Sequence, residues 1–401
     1  MTSKKKLEYA CLFGGGAIRG LAHIGAVKAL DELGIKIGTL AGSSVGAIIA
    51  AALAVGYSYE EIEKFFIDIN FELFKDIDFS KTVALSKGNV FLDRIREIIE
   101  LKFYGKDYKK GKNPPVTFKD LKKNLVIITT DLNSFTCKEF SQKATPDFEI
   151  AHAVRISACM PGLMKPIKMD DKILVDGDLQ KSHPMWELCN ELKNLNENIL
   201  EIRLEGCAGS NLKNPLSYIN TVYTCVTTLA SDYVVENHKS DENHDCLVID
   251  TGDVLILDLQ IKNEARKKLI KSGYEQTMNY FKNVLPIKKR DILDNYIKIR
   301  NKISDLKELV INDKTSEAQV TYSKILLQFS QKDSYDIDEN IKSNIIALSD
   351  DILDNVAKTF IFKHTFFKNY KELPQKLDEI WVEINEKISV LSSFPWLDSK
   401  L

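Results

Sequence analysis

The sequence predicts an α/β fold carrying an all-helical appendage, and two observations predict it. Through the first two-thirds of the chain, short apolar runs alternate with stretches of helical periodicity, the pattern of strands and crossover helices stacked on one sheet. After Pro286 glycine disappears, Lys, Asp and Glu dominate, and apolar residues recur at helical spacing, as at Ile292, Tyr296, Ile299 and Ile303. A chain of 401 residues is long for one domain and comfortable for two. The shift in composition divides it into an α/β domain over residues 1–285 and a helical domain over residues 286–401, to which the sequence gives no role.

Taken in order, Leu7 to Phe13 reads as the first strand and Gly20 to Leu33 as a helix. Leu40 to Gly42 ends a second strand, and Val45 to Val55 is an apolar helix closed by Gly56. Its run from Ala47 to Val55 is the longest apolar stretch in the chain. That is far short of the roughly 20 residues a bilayer-spanning helix needs, so it reads as a buried helix and no transmembrane segment is expected. Ser58 followed by Glu61 is a capping box that starts the next helix, with Tyr57 and Ile62 placed as a hydrophobic staple. Asn113-Pro114-Pro115 marks a loop. Leu125 to Thr130, Ile173 to Val175, Ile199 to Leu204 and Leu247 to Asp250 are the remaining strands.

Composition narrows the setting. A net charge of -2 supplies no field that would draw the chain onto nucleic acid, and the basic cluster Lys4, Lys5, Lys6 reads as a solvated tail. No apolar segment of a secretory leader follows those lysines. The seven cysteines, Cys11, Cys137, Cys159, Cys189, Cys207, Cys225 and Cys246, are odd in number and contain no C-x-x-C pair. Free thiols in a reducing compartment fit this better than a disulfide framework or a zinc site. The expected location is cytoplasmic, with peripheral membrane contact or export without a cleaved leader both compatible.

Three short segments carry chemistry. Gly42-Ser43-Ser44-Val45-Gly46 is a G-x-S-x-G sequence between a strand and an apolar helix. A serine there sits on a sharp turn with its hydroxyl exposed at the top of a sheet. Gly42 and Gly46 permit the turn, and the helix N-terminus favours developing negative charge. The competing reading is a tight turn that needs small residues and nothing more. Gly14-Gly15-Gly16-Ala17-Ile18-Arg19-Gly20 also joins a strand to a helix, and its glycines let the backbone approach a ligand and aim N–H groups at an anion. A dinucleotide loop fails because Arg19 stands where the last glycine of G-x-G-x-x-G belongs, and a Walker loop fails because no Gly-Lys-Ser/Thr is present. An oxyanion hole over Gly14, Gly15, Gly16 and Ala17 remains, or a merely structural turn. Arg19 suits three roles: stabilising the loop, meeting a phosphate head group, or forming a salt bridge to a structural carboxylate. Asp176-Gly177-Asp178 places a carboxylate at a strand end; alone it is a common turn.

In their order these segments resemble the patatin-like phospholipase family: a glycine-rich Arg-Gly loop, then G-x-S-x-G, then a distant D-G-G or D-G-A. Leu21-Ala22-His23-Ile24-Gly25 continues the first motif as the family often does. Thr130-Asp131-Leu132-Asn133 and Ser157-Ala158-Cys159-Met160-Pro161-Gly162 resemble segments that pack around the family's site. The resemblance covers roughly Leu7 to Leu285. It implies a three-layer α/β/α sandwich with a mostly parallel central sheet. It also implies a phospholipase A or lysophospholipase type of carboxylic ester hydrolase, with Ser44 as nucleophile, Asp176 as general base and amides around Gly15, Gly16 and Ala17 as oxyanion donors. No catalytic histidine, metal or cofactor is implied, and the substrate is a lipid met at a membrane or micelle surface. The scattered His23, His152, His183, His238, His244 and His364 then read as structural.

Two features depart from the family pattern. Asp178 replaces its last small residue, and a second carboxylate there would raise the pKa of Asp176 by like-charge repulsion. The stretch Leu179 to Pro184 lacks the asparagine often found before that proline. Phe65, Phe66, Phe71, Phe74 and Phe79 read as core or as the lining of an acyl-chain entrance. The helical region suits a homo-oligomer contact or a protein partner. The alternative to an enzyme is an inactive relative, a scaffold that binds a partner through those helices.

Overall fold

The structure, a computed structural model, describes residues 7–67, 76, 84–180, 185–188, 190–195, 197–206, 218, 221–222, 225, 242–256, 261–330, 337–352 and 372–394. The chain forms two compact units, Met1–His238 with Asn243–Tyr280, and Lys239–Glu242 with Phe281–Leu401. Its last passage between them, after Tyr280, falls slightly before the boundary read from composition.

The strands of the first unit are β1 (Glu8–Phe13), β2 (Lys36–Ser43), β3 (Leu125–Asp131), β4 (Thr136–Ser141), β5 (Ile167–Met169), β6 (Lys172–Asp176), β7 (Asn198–Glu205) and β8 (His244–Asp250). They form one sheet in the order β5-β6-β3-β2-β1-β7-β8, with β4 also paired to β3. The pairings β1–β2, β2–β3, β1–β7 and β7–β8 are parallel, while β3–β4, β3–β6 and β5–β6 are antiparallel. The sheet is therefore mostly parallel, as expected. The predicted strands in β1, β2, β3, β6, β7 and β8 are all present. β4 and β5 did not stand out, since Thr136–Ser141 is largely polar and Ile167–Met169 has only three residues. Pairing with β3 and β6, not local composition, makes them strands.

Helices cover both faces, because parallel strands are apolar on both sides and must be buried twice. Every residue of β3 is buried. On one face, Ala10, Leu12, Ala41, Val126 and Ile128 pack with Met185, Trp186 and Leu192 of the short helices at Met185–Leu188 and Asn190–Lys193. The other face carries α1 (Leu21–Glu32), α2 (Val45–Ala54) and a helix at Ile150–Ser157. The helix at Asn263–Asn279 crosses α1 closely, because Gly25 and Gly273 remove the side chains at the crossing: a Cβ on either would lie 1.9 Å from a backbone oxygen of the other helix. The Ser58 capping box is made, with the Ser58 amide 2.8 Å from Glu61 Oε2 and the Glu61 amide 3.4 Å from Ser58 Oγ.

In the second unit, Pro286 lies near the start of the helix Leu285–Ile311, directly after the π-helical turn Tyr280–Val284, an irregularity of the kind that accompanies a proline within a helical run. Ile292, Tyr296, Ile299 and Ile303 lie in an apolar core with residues from Thr315–Ser330, Glu339–Ile346 and Leu373–Ser392. No described helix is long and apolar enough to cross a membrane.

Strand order also locates the site. From β1 the sheet grows one way through β2 and β3 and the other way through β7 and β8. In a doubly wound sheet, a crevice opens outside the carboxyl ends of the strands where the order reverses in this manner. The loop after β1 and the turn after β2 both lie at that edge.

Candidate active site

The sheet brings Ser44 and Asp176 together by strand register. β3 has two edges, and β4 occupies one of them from Val126 to Asp131. β2 and β6 must therefore share the other. β2 runs parallel to β3 and ends with Ser43 opposite Ile128. β6 runs antiparallel and ends with Asp176 opposite Thr129. The two strands thus approach head-on and stop at adjacent positions of the same neighbour. The residue just past the end of β2 meets the residue that ends β6: Ser44 Oγ donates a hydrogen bond of 2.8 Å to Asp176 Oδ2.

The turn that presents Ser44 is strained. Ser44 has φ 52 and ψ -124, a conformation a side-chain-bearing residue adopts at a cost of about 1–3 kcal/mol. Close packing holds it there. A Cβ on Gly46 would sit 1.9 Å from the Phe13 carbonyl oxygen, so only glycine lets α2 start this close to β1. The Ser44 amide donates to Ser157 Oγ at 3.0 Å, and Ser157 Oγ donates to the Ile128 carbonyl at 2.6 Å. Ser157 therefore ties the turn to β3. It lies in a stretch whose likeness to the family was legible, but its bond to Ser44 was not. The helix that ends at Ser157 is anchored at its other end by Glu149, which accepts from Arg96 Nε at 2.6 Å and Nη2 at 3.1 Å and lies 3.0 Å from His152 Nδ1. Burial works against the Glu149 charge, but the His152 and Arg96 bonds outweigh it and lower its carboxyl to about 2.

Asp176 is fully buried. Its amide donates to the Cys159 carbonyl at 3.0 Å, and its Oδ1 accepts from the Asp178 amide at 2.8 Å. With Oδ1 held by that amide, Oδ2 faces the serine.

The glycine loop differs from its expected form. Of the four candidate amides, that of Gly14 donates to the Ile202 carbonyl at 2.9 Å, and that of Gly15 to Asp178 Oδ1 at 2.9 Å. Both are committed inside the protein. The amides of Gly16 and Ala17 have no partner among the described residues. The backbone turns sharply at these two, with φ 152 at Gly16 and φ 47 at Ala17. Of the four candidate amides, only those of Gly16 and Ala17 are thus left without a partner among the described residues.

Arg19 is buried. Its Nε donates to the Val254 carbonyl at 2.7 Å and its Nη2 to the Gly206 carbonyl at 3.3 Å. The guanidinium binds backbone oxygens beyond β7 and β8, in keeping with the loop-stabilising reading of Arg19. His23 contacts the loop through Nε2, 2.8 Å from the Gly14 carbonyl. A carbonyl can only accept, so Nε2 carries the proton. His152 lies beside Glu149, and His244 stacks on Trp186; His183, His238 and His364 lie outside the described residues. Of the phenylalanines, Phe66 is buried and Phe65 half-buried, and the other three lie outside the described residues.

Asp178 is buried too, and its carboxylate points at the glycine loop, accepting at Oδ1 from Gly15 and, at 3.2 Å, from Ser43 Oγ. Behind it, in the same cavity wall, lie Glu201 and Arg203, a buried pair 2.7 Å apart. Sequence reading missed this pair, because a charged residue within a strand normally faces solvent. Burial raises the Cys159 thiol to about 11, against the pull of Arg155, so it stays protonated at neutral pH and is a poor nucleophile. Among the described residues no group of three or more His, Cys, Asp or Glu is placed to hold a metal ion.

A mostly parallel α/β sandwich with a strained serine at a strand–helix turn has the architecture of serine acyl hydrolases. Within that class, residues 12–188 match the sequence model of the patatin-like phospholipase family, and this part of the chain belongs to that family. An uncharacterized protein of Acanthamoeba polyphaga mimivirus is 35% identical over 188 residues, 46% of this chain and 62% of that protein. An uncharacterized Bacillus subtilis protein, YqhO, is 24% identical over 293 residues, 68% of this chain and 97% of its own length. A probable lipid hydrolase of Invertebrate iridescent virus 6 is 29% identical over 190 residues, 45% of this chain and 63% of that protein. The match thus spans less than two-thirds of the length of both viral proteins.

Proposed function

We propose that this protein is a serine lipid acyl hydrolase that cleaves fatty-acyl esters through Ser44 and Asp176. The observation that carries the reading is the 2.8 Å bond from Ser44 Oγ to a buried carboxylate at the meeting ends of β2 and β6. Family membership and the similarity to a probable lipid hydrolase support the lipid class.

A serine hydroxyl is a weak nucleophile until a base takes its proton. Asp176 Oδ2 accepts that proton as Ser44 Oγ attacks the ester carbonyl carbon. The carbonyl oxygen becomes an oxyanion, facing the amides of Gly16 and Ala17 and the N-terminal end of α2. A preorganised donor of this kind contributes roughly 3–4 kcal/mol to transition-state stabilisation. The carbon–oxygen bond to the alcohol then breaks, and the alcohol leaves with the proton from Asp176. Water attacks the acyl-Ser44 carbonyl and gives up a proton to Asp176. The fatty acid departs as Ser44 regains its hydrogen. Asp176 suits both roles because its other oxygen is fixed by the Asp178 amide, so the carboxylate cannot turn away.

The test is release of fatty acid from a panel of acyl esters with different head groups, comparing wild type with Ser44→Ala and Asp176→Asn. Both variants are expected to keep their melting temperature and lose nearly all turnover. Undiminished hydrolysis by Ser44→Ala would overturn the reading.

A further inference from the structure

We infer that Asp178 is a positioning residue for the hydrolysis proposed above, acting as the clamp that holds the anion cradle, the nucleophile strand and the base in one frame. The inference rests on that reading of the site and adds a role to a residue that departs from the family pattern. Three of the bonds at Asp178 bear on the site. Its Oδ1 accepts from the Gly15 amide at 2.9 Å, from the loop after β1. The same oxygen accepts from Ser43 Oγ at 3.2 Å, at the end of β2 next to the nucleophile. Its own amide donates to Asp176 Oδ1 at 2.8 Å. One residue therefore touches all three segments whose mutual placement the chemistry needs.

The consequence for the cradle is directional. Capture of the Gly15 N–H by Asp178 fixes the Gly14–Gly15 peptide, one link before the Gly16 amide, and so restrains the direction in which the Gly16 and Ala17 amides point. A small residue at position 178 has no acceptor to offer, so a loop facing glycine or alanine there must be held by other means. The fit is close: a Cβ on Gly15 would lie 2.6 Å from Asp178 Cγ. The charge is not left isolated. Arg203, buried and paired with Glu201 at 2.7 Å, interacts electrostatically with Asp178 in the lining of the cavity they share.

What the clamp requires is an acceptor at Oδ1, which asparagine supplies and alanine does not. The experiment compares Asp178→Asn and Asp178→Ala with wild type in the full chain. It uses hydrolysis of soluble p-nitrophenyl butyrate, the rate of inactivation by a fluorophosphonate, and thermal melting. The fluorophosphonate places an oxygen where the oxyanion forms and so reports on the cradle without a lipid. Asp178→Asn is expected to keep kcat and the inactivation rate within about threefold. Asp178→Ala is expected to lower both by at least about thirtyfold, with KM changed less than about threefold. At equal occupancy of the folded state, a residue that only supported stability would leave kcat intact. Wild-type kcat in folded Asp178→Ala overturns the inference, and so does an Asp178→Asn variant as slow as Asp178→Ala, which would put the effect in the charge. If wild type itself neither turns over the ester nor reacts with the fluorophosphonate, the hydrolase reading fails instead, and the two failures are distinguishable.

Discussion

The two units differ in where their buried polar groups lie: the helical unit buries Lys289, Asn295 and Asp351 singly, and the α/β unit gathers them. In the α/β unit, Ser43, Ser44, Asp176, Asp178, Glu201 and Arg203 are all buried, and most of them cluster at the carboxyl ends of adjacent strands. In the helical unit the core cluster is mostly aliphatic, and its phenols are bonded: Tyr322 Oη donates to the Ile345 carbonyl at 2.8 Å and Tyr296 Oη to Glu242 Oε2 at 2.7 Å. Left-handed backbone at side-chain-bearing residues serves turns in both units: Phe135 lies in the β3–β4 turn and Asp170 in the β5–β6 turn. Asp313, the left-handed residue among those described in the helical unit, closes a helix in the ordinary way. Its amide bonds Val310 O at 3.1 Å and the Lys314 amide bonds Leu309 O at 2.9 Å, which is a Schellman cap. Ala17 and Ser44 have no such local use for a positive φ. Buried charge and strain that the fold does not need point to chemistry; an aliphatic core with satisfied caps points to stability.

That contrast can be broken or sharpened by four measurements. The largest effect is expected at the site. Ser44→Ala should lower kcat/KM on an acyl ester by about 10⁴-fold, on the order of 5.5 kcal/mol of transition-state stabilisation, while thermal melting stays unchanged. A matching loss of melting temperature would mean the polar cluster is structural after all. Next comes the helical core. Ile299→Ala deletes a fully buried side chain and should cost about 2–5 kcal/mol in a denaturant melt, with turnover at low temperature unaffected.

The third effect is smaller and depends on pH. The folded carboxyl of Glu149 lies at about 2, below its ordinary 4.5, so its contribution is fully present above pH 4.5 and lost as pH falls toward 2. Partial solvent screening brings it to about 1–2 kcal/mol. Urea unfolding across that range should show a shallower decline for Glu149→Gln than for wild type; equal slopes would assign the acid sensitivity elsewhere. The smallest is a helix cap. Asp338 accepts from the Asn340 amide at 2.9 Å, and Asp338→Ala should cost about 1 kcal/mol, read as a small drop in melting temperature. A loss above about 3 kcal/mol would show that its ion pair with Lys387 at 2.8 Å matters more than the cap.

The sequence by itself determined what is local. The alternation of apolar runs, the Ser58–Glu61 capping box and the periodicity of Ile292, Tyr296, Ile299 and Ile303 all depend on neighbours a few residues apart, and each is present in the fold. The strained turn at Ser44 was legible for the same reason, since the glycines that permit it are adjacent. β4 and β5 were not, because their strand character comes from partners. Only the tertiary structure decided that β2 and β6 end against adjacent residues of β3, which sets Asp176 beside Ser44 across 132 positions of chain. It also decided that Gly14 and Gly15 give their amides to the protein while Arg19 turns to carbonyls near Gly206 and Val254. Whether an N–H is free or a guanidinium is committed depends on which distant acceptor lies within about 3 Å, and no local pattern in the chain encodes that distance.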